Sequence, residues 1–300
     1  MRTPRRHRLL ALIPLVLVLA LAGCGSGTKS TSSGKTTITV AGSTTVLPIA
    51  EIAAEKFEAK TGNQVLVSGL GSSAGIEAVI SGTADIASSS RDLTKEEASH
   101  ELVSTVIAHD GIAIIVNDSN PVKNVTLDQL RDIYAGKIKN WKELGGPDLA
   151  IQLVNRDEAS GTREAFRSIV MRGAEFDRSA AVLPGTGQVR DVVSRSAGAI
   201  GYISIGFVKS DYATTTVKTL TVNGVNATED NVSNGKYPIS RDLYFFTNGD
   251  PQGVSFQYIK FVLSDEMTKT IEEAGYIPVN WDQSARSDDS TSTTSGGEGK

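Results

Sequence analysis

The chain has 300 residues, 39% of them hydrophobic, with 30 Lys and Arg against 34 Asp and Glu and a formal charge of −4. An acidic chain is a poor partner for nucleic acid, and its overall field does not gather anions from a distance, so any anion site has to be local. One cysteine excludes an internal disulfide framework.

The first ten residues carry Arg2, Arg5, Arg6 and Arg8 and no acid, and Leu9–Ala22 is apolar apart from Pro14. A charged start followed by an apolar run reads as an export signal, and the run is short for a spanning helix, which needs about 20 residues. Leu21-Ala22-Gly23-Cys24 resembles the lipobox of bacterial lipoproteins. That resemblance implies cleavage before Cys24 and lipid on its sulfur; the alternative is a buried free cysteine behind an uncleaved anchor. Cleavage removes four arginines and takes the charge to −8. Residues 24–35 are rich in Ser, Thr and Gly and read as a flexible tether, and 284–300 read as a disordered tail. The 248 residues between suffice for one large domain or two lobes.

Within that core the segments alternate. Thr36–Ala41 is β-branched and predicts a strand; Val46–Lys60 carries Ile49, Ile52, Ala53 and Phe57 on a helical stripe ended by Gly62. Gln64–Ser68 predicts a strand, Gly75–Ile80 a helix and Ala84–Ala87 a short strand. Lys95–Leu102 reads as helix, and Val103–Ala108 and Gly111–Asn117 as two strands. Thr126 is placed to cap a helix over Leu127–Tyr134. Ile151–Asn155 and Ala199–Ile203 read as strands, Ser160–Met171 and Gln188–Arg195 as helices, and Leu243–Thr247 as a strand before a helix over Gln252–Leu263. The order predicts an α/β fold of two lobes, each a mainly parallel sheet flanked by helices.

The stretch GLGSSAG, Gly69–Gly75, sits between a strand and a helix and fits three chemistries. As a nucleophile elbow, Ser73 needs an acid and a histidine; Asp85 and His109 satisfy chain order alone. As a dinucleotide fingerprint it needs an acid about twenty residues on, and Asp92 lies beyond the polar run Ser88-Ser89-Ser90-Arg91. As a bare glycine-serine turn it presents backbone N–H groups to an anion. The same chemistry recurs at Gly42-Ser43-Thr44-Thr45 and at Ser160-Gly161-Thr162. At a strand-to-helix junction the first N–H groups of the helix lack internal partners and lie at the positive end of its dipole. Glycine allows close approach and hydroxyls add donors, which makes an oxyanion site. Each turn taken singly also reads as an ordinary N-cap. Arg156 follows a strand at the edge of the third turn and supplies the charge, or else pairs with Asp157 or Glu158; Arg91 is equally ambiguous. Trp141 and Tyr134 read as core. No His/Cys/acid cluster has metal-ligand spacing, and no cofactor or metal is expected.

Taken in order, GSTTVLPIA, GLGSSAGIEAVISGTADIASSSR, LRDIYAGKIKNWKEL, RDEASGTREAF and GAIGYISIGFV resemble the PstS family, the phosphate-binding lipoproteins of ABC-type phosphate importers. The likeness extends over most of residues 36–281. It implies the two-lobed periplasmic-binding-protein fold of type II, with inorganic phosphate in the cleft between lobes. The lobes would be 36–110 plus 241–283 and 111–240, crossing near Asp110–Gly111 and Ser240–Arg241. It implies that Ser43, Thr44, Thr45, Ser72, Ser73, Ser90, Arg156, Ser160, Gly161 and Thr162 hold the anion. One departure stands out: in some members an aspartate at the Ser90 position accepts the ligand proton and repels sulfate, and a serine repels it less. The expected protein is a monomeric receptor, lipid-anchored on the extracytoplasmic face, that serves an ABC permease and binds no nucleic acid. A secreted serine hydrolase using Ser73, or a receptor of the same fold for another oxyanion, is the alternative.

Overall fold

The computed structural model describes residues 35–209 and 217–283. The expected signal at 1–23, Cys24, the tether up to residue 34 and the tail at 284–300 lie outside them.

Thr37–Gly42 forms strand β1, whose Ile38 and Val40 point into the core. Helix α1 (Leu47–Thr61) carries Pro48 in its first turn and buries Ile49, Ala50, Ala53, Ala54 and Phe57. It ends where Gly62, at φ 74°, returns its N–H to the Glu58 carbonyl, a left-handed cap that glycine adopts without Cβ strain. There follow β2 (Gln64–Gly69), α2 (Ser72–Ile80) and β3 (Ile86–Ser89). Leu102–Asn117 is a single 16-residue strand, β4, where the sequence reads as two. Residues 95–102 hold only a short 3-10 turn at Glu97–Ser99 instead of the expected helix.

The middle of the chain contributes β5 (Asn124–Val125), α3 (Leu127–Tyr134), β6 (Gln152–Arg156), α4 (Gly161–Phe166), β7 (Ala181–Leu183), α5 (Thr186–Arg195), β8 (Ala199–Ser204), α6 (Gly206–Lys209), β9 (Val217–Val222) and α7 (Glu229–Ser233). Thr126 caps α3 with a full capping box: its hydroxyl takes the Gln129 N–H and the Gln129 side chain takes the Thr126 N–H. The helix expected over Ser160–Met171 is α4 continued by a π-turn at Arg167–Met171. The chain closes with β10 (Ser240–Asn248), α8 (Gly253–Val262), α9 (Asp265–Glu273) and β11 (Ile277–Pro278).

The strands join in the order β2-β1-β3-β10-β4-β8-β6-β7, with β9 and β11 also on β4 and β5 on β9. The sheet is mixed rather than mainly parallel. β1, β2 and β3 are parallel, as are β6, β7 and β8, but β10 lies between β3 and β4 and runs against both. β4 in turn runs against β8 and β9. The crossing expected at Asp110–Gly111 falls inside β4: Leu102–Gly111 pair with β10, and Ile112–Asn117 pair with β8 and β9. The buried core divides at the same place. Ile38, Phe57, Ile107, Phe245, Tyr258 and Met267 belong to one cluster, and Ile114, Tyr134, Trp141, Phe166, Tyr202 and Ile239 to another.

Candidate functional site

The strand register brings the polar turns together. Gly42 at the end of β1 lies beside Gly69 at the end of β2 and Ser88 in β3, so the loops at 43–45, 70–73 and 89–91 leave one sheet edge side by side. In the other half, Arg156 at the end of β6 pairs with Leu183 at the end of β7. Its loops run into α4 and α5, and the two groups of loops meet.

Hydrogen bonds and close backbone approaches make the meeting. Thr45 Oγ1 lies 3.0 Å from Thr162 Oγ1, and Thr44 Oγ1 lies 2.9 Å from Thr186 Oγ1. The Ser73 N–H donates to the Ala159 carbonyl at 3.2 Å. Gly161 sits so close to Ser72 and Ser90 that a Cβ there would stand 2.3 Å from Ser72 Oγ and 2.7 Å from Ser90 Oγ. The same holds in reverse at Gly71, where a Cβ would meet Ala159 at 2.8 Å and φ is 99°. These two glycines bring the backbones together, which is what the opening of GLGSSAG and the middle of Ser160-Gly161-Thr162 supply.

Ser43, Thr45, Ser72, Ser90, Ser160 and Thr162 are buried, and Thr44 and Ser73 half-buried. Their hydroxyls do different jobs. Ser43 Oγ takes the N–H groups of Thr45 and Val46, at 3.1 and 3.4 Å, and so fixes the turn that leads into α1, while Ser160 Oγ takes that of Arg163 at 3.2 Å and caps α4. Ser72 Oγ takes the Ser90 N–H at 3.1 Å and lies 3.4 Å from Ser90 Oγ. Ser73 Oγ turns to Arg91, accepting from Nη2 at 2.9 Å. Arg91 itself forms a two-pronged ion pair with Glu97, both bonds 2.7 Å. His109 Nδ1 meets Asp242 at 2.5 Å, so neither member of the conceivable Ser73–His109 pair is held by the other.

Arg156 is the electrostatic centre. Its side chain is 2% exposed. Nε donates to the Leu183 carbonyl, Nη1 to Thr186 Oγ1, and Nη2 to Thr44 Oγ1 and the Pro184 carbonyl, at 2.8–3.1 Å. Every one of these acceptors is neutral, and among the described residues no carboxylate lies within ion-pairing distance. Neither Asp157 nor Glu158 is its partner; Glu158 reaches out to Arg163 instead. Burial lowers the Arg156 pKa to about 10 against the upward pull of Tyr202 and Asp157, so the group keeps its charge at neutral pH. The arrangement offers a buried positive charge, hydroxyl donors and helix starts to something small and anionic.

Two residues of this cluster escape a reading of the sequence. Thr186 opens α5 and is 1% exposed; its signal is Gly185-Thr186 ahead of a helix, the same small-residue junction met three times earlier. Arg241 reaches Thr45 Oγ1 and the Ser90 carbonyl from β10 and pairs with Asp110, 131 residues away, and nothing local in the sequence marks it.

The PBP superfamily domain matches residues 27–266. The phosphate-binding protein PstS of Bacillus subtilis is 34% identical over 246 residues, covering 81% of this chain and 80% of that protein. PstS of Borreliella burgdorferi is 32% identical over 251 residues, covering 81% and 90%. Among solved structures, a phosphate ABC transporter substrate-binding protein from Clostridium perfringens with bound phosphate is 38% identical, with a TM-score of 0.77, covering 81% of this chain and 100% of that one. An ABC-type phosphate transport receptor from Vibrio cholerae is 37% identical, with a TM-score of 0.67, covering 80% and 99%. Sequence kinship of this extent, on a fold whose polar turns meet between two sheet halves, places the chain in the PstS family of the PBP superfamily.

Proposed function

We propose that this protein captures inorganic phosphate between the two halves of its sheet and delivers it to an ABC-type importer. The observation that carries the reading is the Arg156 guanidinium, buried and bonded only to neutral acceptors. A buried charge without a counter-ion costs several kcal/mol, and a tetrahedral oxyanion returns that cost. The hydroxyls of Thr44, Thr45, Ser72 and Thr162 and the helix starts at Ser72 and Gly161 supply the remaining donors. Ser160 holds the start at Gly161 in place, Ser43 braces the turn ahead of α1, and Ser73 acts through its backbone. No covalent step is involved.

The halves act as lobes, 36–110 with 241–283 and 111–240, that close as ligand bonds from both sides form together. The chain is anchored through lipid on Cys24 at the extracytoplasmic face and works as a monomer. Among the described residues no helix is long and apolar enough to cross a membrane. Titration calorimetry on the purified protein tests the ligand. Phosphate binds with micromolar or better affinity, and sulfate or molybdate binding more tightly than phosphate rejects that ligand while leaving the anion site intact. A fluorophosphonate probe leaves Ser73 unlabelled; labelling there would favour the hydrolase.

A further inference from the structure

Asp110 and Arg241 face each other in the register of β4 and β10, one residue before β4 changes partners. Asp110 is fully buried and the Arg241 side chain is 4% exposed. Arg241 Nε and Nη2 both reach Asp110 Oδ2, at 3.0 and 2.8 Å, and Ser204 Oγ donates to Oδ1 at 2.7 Å. The rest of the guanidinium is turned toward the anion nest. Nη1 donates to the Ser90 carbonyl at 3.1 Å and Nη2 reaches Thr45 Oγ1 at 3.4 Å.

Two guanidiniums therefore touch adjacent threonines, Arg156 on Thr44 and Arg241 on Thr45. Their charges are not equivalent. Among the described residues no carboxylate pairs with Arg156, whereas Arg241 is paired with Asp110, whose carboxyl is pushed up by burial and pulled back down by Arg241 and Ser204. The two are close enough that Arg241 is among the groups holding the Arg156 pKa down. A buried ion pair is a poor source of stability, since an apolar pair of similar volume often does as well or better. Its place against Thr45 and Ser90 gives it another use.

On the reading that the nest takes a tetrahedral oxyanion, we infer that the Asp110–Arg241 pair is a specificity-determining floor beneath it. Arg241 is a positioning residue that aims Thr45 and the Ser90 backbone, and Asp110 cancels its charge, so that Arg156 alone sets the net positive charge the ligand meets. A floor left positive would favour the more highly charged anion, because each added ligand charge then gains a second Coulomb attraction.

Calorimetry with inorganic phosphate and with sulfate tests this, in mildly acidic buffer where phosphate carries one charge and sulfate two. The proteins are the wild type, Asp110→Asn and the double variant Asp110→Asn/Arg241→Met, each with its melting curve. Asp110→Asn is expected to shift the affinity ratio toward sulfate by about tenfold or more. The double variant is expected to restore the wild-type ratio while weakening both anions about tenfold, because Thr45 and Ser90 lose the group that aims them. An unchanged ratio in folded Asp110→Asn overturns the inference. Where Asp110→Asn does not fold, the double variant decides: wild-type affinity for both anions overturns it. A wild-type protein that binds neither anion overturns the reading of the nest itself, and this inference with it.

Discussion

Arg156 carries a charge that folding hides and that, among the described residues, no carboxylate meets in an ion pair. Replacing it with methionine removes the charge and its desolvation cost together. Phosphate affinity in Arg156→Met is expected to fall about a hundredfold or more, since charge-assisted bonds are worth roughly 1.5–3 kcal/mol each. The ligand-free melting temperature changes little, which scanning fluorimetry beside calorimetry will register; a collapse of both would make Arg156 a fold residue instead. Gly161→Ala drives a methyl into Ser72 and Ser90 across the meeting point of the two halves. It weakens phosphate binding at least about tenfold, read in the same titration, while α4 itself favours alanine over glycine. Most of this site is legible in the sequence because each donor cluster is local: a glycine, two hydroxyls and a helix within five residues. Thr186 carried the same signal in weaker form. Arg241 was invisible because its meaning lies in Asp110 and Ser90, which the sheet order alone brings near.

At the level of elements, the capping box at Thr126 gives a control. Thr126→Ala costs about 1 kcal/mol of stability, seen as an earlier denaturation midpoint, and leaves phosphate affinity untouched because the Thr126 cap bonds go to Gln129 and to no residue of the nest. Long segments such as α1 and α8 are readable, α1 from a stripe on which Ile49, Ala53 and Phe57 are buried, α8 although Phe256 stays exposed and Tyr258 and Phe261 turn inward with Ile259. Short ones were not: β5, β7 and β11 each have two or three residues and gain their strand character from a neighbour. β4 shows the opposite failure. Its two apolar runs read as separate strands because Asp110-Gly111 looks like a turn, yet Arg241 satisfies the acid and the glycine fits beneath Val232 and Ile205. The two mainly parallel sheets that the sequence predicts are instead one mixed sheet for a related reason: a strand from the end of the chain, β10, enters between β3 and β4 and runs against both, and no local pattern announces that.

At the scale of the whole molecule, five buried tyrosines tie stability to alkaline pH. Tyr134, Tyr202, Tyr237, Tyr258 and Tyr276 are buried, and burial pushes each hydroxyl above its ordinary value of about 10. Because the folded pKa values lie above the unfolded one, the stability they contribute is intact below pH about 10 and is lost as pH rises beyond it. Tyrosine ionisation followed by ultraviolet absorbance should therefore coincide with loss of circular dichroism, and ionisation without unfolding would contradict it. The acidic surface sets a second global property. Phosphate has to approach a molecule of like sign, so its association rate, measured by stopped flow, holds or rises with added sodium chloride, where a steered anion would slow. Finally, β4 gives its first ten residues to β10 and β11 and its last six to β8 and β9. Neither half possesses a complete sheet once that backbone is cut or frayed. Heating should melt both in one calorimetric transition, and a chain severed within β4 should yield two fragments that regain structure only when mixed.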